Sequence, residues 1–228
     1  MSIFTHMRYS KWITYCVAGA FLLLVACTDQ EKQEENLTVG EKIARAHGFD
    51  QFGSINKLSY RFNVQRDTLI FGRDWQWWPK TGDVIYSRGS ETVSFNQFQV
   101  DNEETKMIDQ RFINDKYWLL FPFQLVWDAD VSYVQKEDAE APISGERMHH
   151  VVVSYSANGG YTPGDVYELF CDESWVIREW IFRRGGDPEP TIACTWENYV
   201  EFNGVKIATE HRNADESFRL FFTGLSIE

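Results

Sequence analysis

The apolar positions of this chain form one continuous block near the start and short alternating groups after it. Residues 12–25 are almost wholly apolar, and a run of about 14 is short for a bilayer-spanning helix. Residues 28–38, TDQEKQEENLT, carry four acids and almost no apolar side chain, the composition of a disordered tether. In 39–47, Val39, Ile43 and Ala46 share a helical face, with Glu41 in the first turn and Gly48 placed to cap the end. From Ile55 onward the pattern changes to short β-rich runs divided by polar or glycine-containing turns. It predicts strands at 58–66, 68–77, 83–90, 92–100, 146–156, 165–171, 175–184, 191–202, 205–212 and 217–226. Mid-chain, 102–114 has helical spacing through Ile108 and Phe112. The aromatic segment 117–126 is interrupted by Pro122 and reads as a bent apolar element that stops a regular helix.

The second half alternates most cleanly. Ile192, Cys194, Trp196 and Val200 fall on one face of their strand, with Ala193, Thr195, Glu197 and Glu201 on the other, and Phe202-Asn203-Gly204-Val205 marks a tight hairpin. Consecutive hairpins with a helical insertion predict an α+β architecture, an antiparallel sheet curled around helices. On this reading the turns at 172–173 and 185–190 put Cys194 two strands over and about six residues along from Cys171. That is on the order of 20 Å at ordinary strand spacing, beyond the ~7 Å that a disulfide spans, so both are expected as free thiols.

The N-terminal block has the layout of a secretory signal peptide: Arg8 and Lys11 without an acid, then the apolar run, then small residues. Its end, Leu24-Val25-Ala26-Cys27, resembles the lipobox of bacterial lipoproteins. The resemblance implies that 1–26 are removed, that Cys27 is acylated, and that 27–38 tether a domain at 39–228 to a membrane. Two or three acyl chains, at about 0.8 kcal/mol per buried CH₂, anchor far more firmly than one. Acids close behind Cys27 also resemble the signal that sends some lipoproteins to the outer face of the outer membrane, although a plain solvated linker has the same composition. Losing Arg8 and Lys11 takes the 22 basic residues to 20 against 34 acids, a formal charge of −14. Such a surface repels phosphate backbones, and no nucleic-acid partner is expected.

Several stretches together resemble a family of uncharacterised bacterial lipoproteins with the fold of the outer-membrane lipoprotein carrier and receptor, LolA and LolB. They are Ala46-His47-Gly48, the segment KYWLLFPFQLVW at 116–127, TPGDVYELF at 162–170, Trp196-Glu197-Asn198-Tyr199 and Asn203-Gly204. The resemblance implies a half-open antiparallel β-barrel of about ten strands, its concave face covered by helices around an apolar cavity that holds acyl chains in the characterised relatives. A soluble carrier must leave the membrane, whereas Cys27 would fix this chain to it. A receptor-like or fixed binding role therefore suits it better than shuttling.

The candidate chemistry is aromatic. The chain has nine tryptophans and 17 phenylalanines, and such rings offer large, stiff apolar area. Trp75 and Trp77 share one strand face and Trp78 takes the other. Trp118, Phe121 and Phe123 lie in the bent segment that would cover a half-barrel. With Phe112, these make Trp75, Trp77, Phe112, Trp118, Phe121 and Phe123 the candidate ligand-binding residues. His149 and His150 point to opposite strand faces and cannot jointly chelate. No H-E-x-x-H, paired C-x-x-C, G-x-S-x-G or phosphate-loop motif occurs. No metal, cofactor or catalytic residue is expected, and the loop at 159–165 reads as a structural connection. The expectation is a monomeric, non-enzymatic, lipid-anchored protein of the outer membrane that holds an acyl chain or other apolar small molecule. The alternative is a surface glycan-binding or assembly-scaffold lipoprotein that uses exposed tryptophans. Replacing Cys27 by Ser should abolish metabolic labelling with a palmitate analogue and release the protein from the membrane fraction; retained labelling would refute acylation at this residue.

Overall fold

The structure, a computed structural model, describes residues 37–158 and 162–228. Cys27, the leader and most of the tether lie outside the described residues. Helix α1 (Val39–Ala46) and a single turn α2 (Phe49–Phe52) lead into four strands, β1 (Leu58–Arg66), β2 (Leu69–Trp78), β3 (Asp83–Arg88) and β4 (Glu91–Asn96). The long helix α3 (Glu103–Trp127) follows, then β5 (Val131–Gln135), β6 (Ala139–Glu140), β7 (Arg147–Tyr155), β8 (Val166–Cys171) and β9 (Ile177–Arg183). Strands β10 (Ile192–Thr195), β11 (Glu197–Phe202), β12 (Val205–Arg212) and β13 (Phe218–Ile227) complete the domain.

These strands form two open sheets and no closed barrel. The first has the order β11-β12-β13-β1-β2-β3-β4 and the second β10-β9-β8-β7-β5, with β6 on β7. All the strand pairings are antiparallel. The α+β class and the antiparallel meander thus match the sequence pattern. The strand number does not: thirteen strands stand among the described residues, against the ten predicted. Strand β5 packs only Val131 and Tyr133 against the core, and β6 is two residues long. The predicted strand 191–202 is two strands in two sheets, because the chain turns a corner at Trp196. There the Trp196 N–H still donates to the Arg178 carbonyl of the second sheet (2.6 Å), while Glu197 already pairs with Glu210 of the first. Asn198, with φ +54°, shifts the phase of the alternation. Val200, expected inside, is consequently 36% exposed, and Tyr199 turns inward to donate to the Ile177 carbonyl (2.6 Å).

Helix α3 lies against both sheets. Its Ile108, Phe112, Leu119, Leu120 and Phe123 join the core of the first sheet with Leu58, Trp75 and Leu220. Its Phe121 and Leu125 join that of the second with Val151, Leu169 and Trp180. Trp118 packs against both. Asn102 caps the helix by accepting the Thr105 N–H (2.9 Å), and Glu103 and Glu104 complement its dipole. As the sequence predicted, a regular helix does not run unbroken through this segment: it leaves helical geometry at Leu120 (φ −127°, ψ 22°) and resumes across Pro122 in a kink, where burial on all sides outweighs the roughly 3 kcal/mol that an interior proline costs.

The helical N-terminus is fastened to the first sheet by a close backbone contact. The Gly48 N–H bonds to the Arg45 carbonyl (2.9 Å), and the Lys206 N–H donates to the His47 carbonyl (2.9 Å). A Cβ on Gly48, whose φ is +89°, would lie 2.0 Å from the carbonyl oxygen of Gly204 in the β11–β12 hairpin, so only glycine fits. That hairpin is the one expected from Asn203-Gly204, with φ of +50° and +85°.

Cys171 and Cys194 are both free and buried, but the register differs from expectation. Leu169 and Cys194 both pair with Trp180, so the two cysteines are two strands and only two residues apart, about 12 Å at ordinary spacing. This is still too far for a disulfide. Burial pushes the Cys194 thiol up to about 12.

Two histidines are enclosed in this fold. The His47 ring bonds the Ile43 carbonyl through Nδ1 (2.7 Å) and accepts the Ile177 N–H at Nε2 (3.4 Å). His211 Nδ1 meets the Thr195 carbonyl (3.0 Å). Burial lowers both pKa values to about 4. In the unfolded chain each ring takes up its proton near pH 6.5. Between these values the unfolded state binds more protons, so stability falls as pH falls, by about 2 kcal/mol per ring at pH 5. The urea midpoint should therefore be clearly lower at pH 5 than at pH 7, and equal midpoints would contradict neutral, enclosed rings.

Candidate functional site: a cavity between the sheets

Between the two sheets, beside the middle of α3, lies a cavity of about 820 Å³, within the range of small-molecule sites. Three strands supply its walls with residues at period two. They are Phe62 and Val64 on β1, Trp180 and Phe182 on β9, and Phe218 and Leu220 on β13; α3 adds Ile113, Tyr117 and Trp118. Arg66 and Arg184 continue the β1 and β9 rows beyond their apolar members, and Arg73 comes from β2. The remaining lining includes Thr162, Pro163 and Asp165 from the turn before β8. The Asp165 carboxylate accepts the Gly185 N–H (2.7 Å), tying that turn to the β9–β10 connection.

One buried ion pair sets the position of α3 at this wall. The Arg73 guanidinium donates through Nε and Nη2 to both oxygens of Asp115, each at 2.6 Å. Asp115 also accepts from Trp75 Nε1 (2.7 Å) and Asn114 Nδ2 (3.0 Å), and its side chain is fully buried. Burial raises the Asp115 carboxyl above the usual carboxylate range, and the Arg73 hydrogen bonds oppose that rise. The forked geometry fixes the helix in rotation as well as distance.

The six candidate ligand residues separate. Only Trp118 lines the cavity. Its ring lies 4.8 Å from Trp180 and 6.0 Å from Phe218, centroid to centroid. Trp75, Trp77 and Phe112 are packed together in the first core, with Trp75 and Trp77 5.3 and 5.7 Å from Phe112. Phe123 sits with Phe52 (5.1 Å). Phe121 stands behind the wall, 4.6 Å from Tyr167 and 5.2 Å from Trp180. The cavity is lined instead by the strand rows Phe62-Val64-Arg66 and Trp180-Phe182-Arg184, together with Trp118. Their signal is an apolar period-two set that ends on arginine in both sheets, and it is present in the sequence.

Other marked residues serve local structure. His149 bonds Asp138 (2.9 Å) and stacks on Trp175 (4.4 Å). His150 bonds Glu168 (2.9 Å) and stacks on Phe170 (4.9 Å). Among the described residues no cluster of three metal-ligating side chains occurs, and no helix is long and apolar enough to cross a membrane.

No protein-family model and no curated protein matches this sequence. Solved structures do. A DUF1329 family protein from Desulfovibrio piger superposes with a TM-score of 0.50 at 8% identity, over 83% of this chain and 92% of that one. A putative outer membrane lipoprotein-sorting protein domain from Vibrio parahaemolyticus gives 0.48 at 9% identity, over 82% and 91%. At 8% identity the likeness to the first is one of fold alone.

Proposed function

We propose that the protein is a non-enzymatic, lipid-anchored protein of the outer membrane that holds one apolar ligand between its sheets, in the manner of a half-barrel. The observation that carries this reading is the cavity itself: about 820 Å³ walled by aromatic and aliphatic side chains from both sheets and α3. The space opens to solvent on one side, and its size is within the range of small-molecule sites. The resemblance of Leu24-Val25-Ala26-Cys27 to a lipobox supports the anchor, and the fixed anchor supports receipt or storage of the ligand over transport. The glycan-binding reading is weaker. Of the tryptophans among the described residues, Trp127 alone is more than a third exposed, at 37%, and it packs against Phe52 and Phe123 instead of standing in a flat platform.

Trp118 and Phe121 separate ligand wall from core. Phe121 is fully buried, so Phe121→Ala should cost about 3 to 5 kcal/mol of stability. Trp118 has the cavity on one side, so Trp118→Ala should cost less than Phe121→Ala. It should weaken a saturable fluorescent fatty acid at least ~10-fold, about 1.4 kcal/mol. A wild-type protein that binds no fluorescent fatty acid, together with a Trp118→Ala variant that unfolds, would defeat the proposal.

A further inference from the structure

We infer that the cavity selects a single-chain anionic amphiphile, a long-chain carboxylate whose head group meets Arg66 and Arg184; this rests on the ligand-holding reading above. The first argument is charge. The chain has 34 acidic and 22 basic residues, yet the cavity lining contains Arg66, Arg73 and Arg184 against one acid, Asp165. Arg73 is already neutralised by its forked pair with Asp115. Asp165 is buried and already accepts the Gly185 N–H. Arg66 and Arg184 are exposed, and among the described residues neither forms an ion pair. A local cationic rim has thus been kept on a strongly acidic molecule, at the edge of an apolar cavity.

The second argument is order along the strands. On β1 the lining runs Phe62, Val64, Arg66, and along β9 and just past its end it runs Trp180, Phe182, Arg184. Each row thus carries a guanidinium after its apolar members, and the third one, Arg73, over the Phe62 ring (5.1 Å), is already paired with Asp115. Guanidinium groups suit an anionic head group because their planar donors meet a carboxylate two at a time and stay charged at any physiological pH.

The third argument is volume. Counting each methylene as about one liquid water, ~30 Å³, a chain of about 16 carbons fills on the order of 500 Å³. One such chain and its head group fit in about 820 Å³, and two chains do not. The second chain of a diacyl lipid, or of an acylated terminus, would therefore lie outside the cleft and in water.

The test measures displacement of a fluorescent fatty acid from the purified protein by palmitate, by hexadecanol and by dipalmitoyl phosphatidate, in the wild type and in an Arg66→Gln/Arg184→Gln variant. Both arginines are exposed, so the variant retains the fold. Palmitate should bind the wild type at least ~10-fold more tightly than hexadecanol. In the variant that preference should vanish while hexadecanol stays within ~2-fold, and phosphatidate should compete poorly with both proteins. Equal binding of palmitate and hexadecanol, or an unchanged palmitate affinity in the variant, would overturn the head-group assignment and leave the ligand-holding reading standing. Competition by phosphatidate equal to that by palmitate would overturn the single-chain assignment. Failure of every probe to bind would remove both the inference and the reading beneath it.

Discussion

The stretch Leu119–Phe123 of helix α3 must be covered on every side, and the arrangement of the domain follows from that requirement. Leu119 through Phe123 are five consecutive buried residues, so no face of this turn can look at water. One sheet covers one flank of a helix; two are needed here. The first sheet takes Leu119, Leu120 and Phe123, and the second takes Phe121 and Leu125. A helix apolar around its whole circumference is a buried helix. The chain accepts a proline inside it because leaving these rings exposed would cost more. The carbonyl that Pro122 cannot serve belongs to Trp118, which lies near enough to the enclosed His211 to act on its titration.

The cavity is the other consequence of the same helix. Where α3 carries Leu119 to Phe123 the space between the sheets is filled. About two turns earlier the residues that α3 presents to the cavity are Gln110, Ile113 and Asn114, of which Gln110 and Asn114 are exposed. The two sheets are joined at the Trp196 corner, so the gap does not close where the helix stops filling it. The Arg73–Asp115 pair holds the helix at this depth. Its cost of burial is offset by four hydrogen bonds to one carboxylate, and removing either partner would strand a charge inside the protein. The cavity wall and the cores are thus positioned by one element, with Trp118 at the junction of all three.

The parts of this fold set by local pattern were legible in the sequence. β1 and β12 begin and end at the predicted residues, because strict alternation and flanking turns leave one solution. The Asn203-Gly204 hairpin was legible for the same reason, since its two left-handed residues admit few alternatives. The parts set by tertiary context were not. The bend at Pro122 was legible, but the resumption of the helix beyond it was not, because it is decided by two sheets whose strands come from before and after α3 in the chain. The split of 191–202 at Trp196 depends on which sheet each half finds. The lining of the cavity was likewise not legible from residue type alone. Tryptophans and phenylalanines attract attention by size, yet Trp75, Trp77 and Phe112 satisfy one another in the core. The cavity is lined by other rings, Phe62, Trp180, Phe182 and Phe218, with strand residues such as Val64 and Leu220, and these become a wall only when β1 and β13 lie beside α3.

Native mass spectrometry of the protein incubated with a long-chain fatty acid tests the central claim, that two sheets and one helix enclose a space for one ligand. A single adduct of one fatty acid per folded chain, saturating and lost on unfolding, is the expected result. A bare mass at saturating fatty acid, or a graded ladder of adducts without a saturating first step, would contradict it.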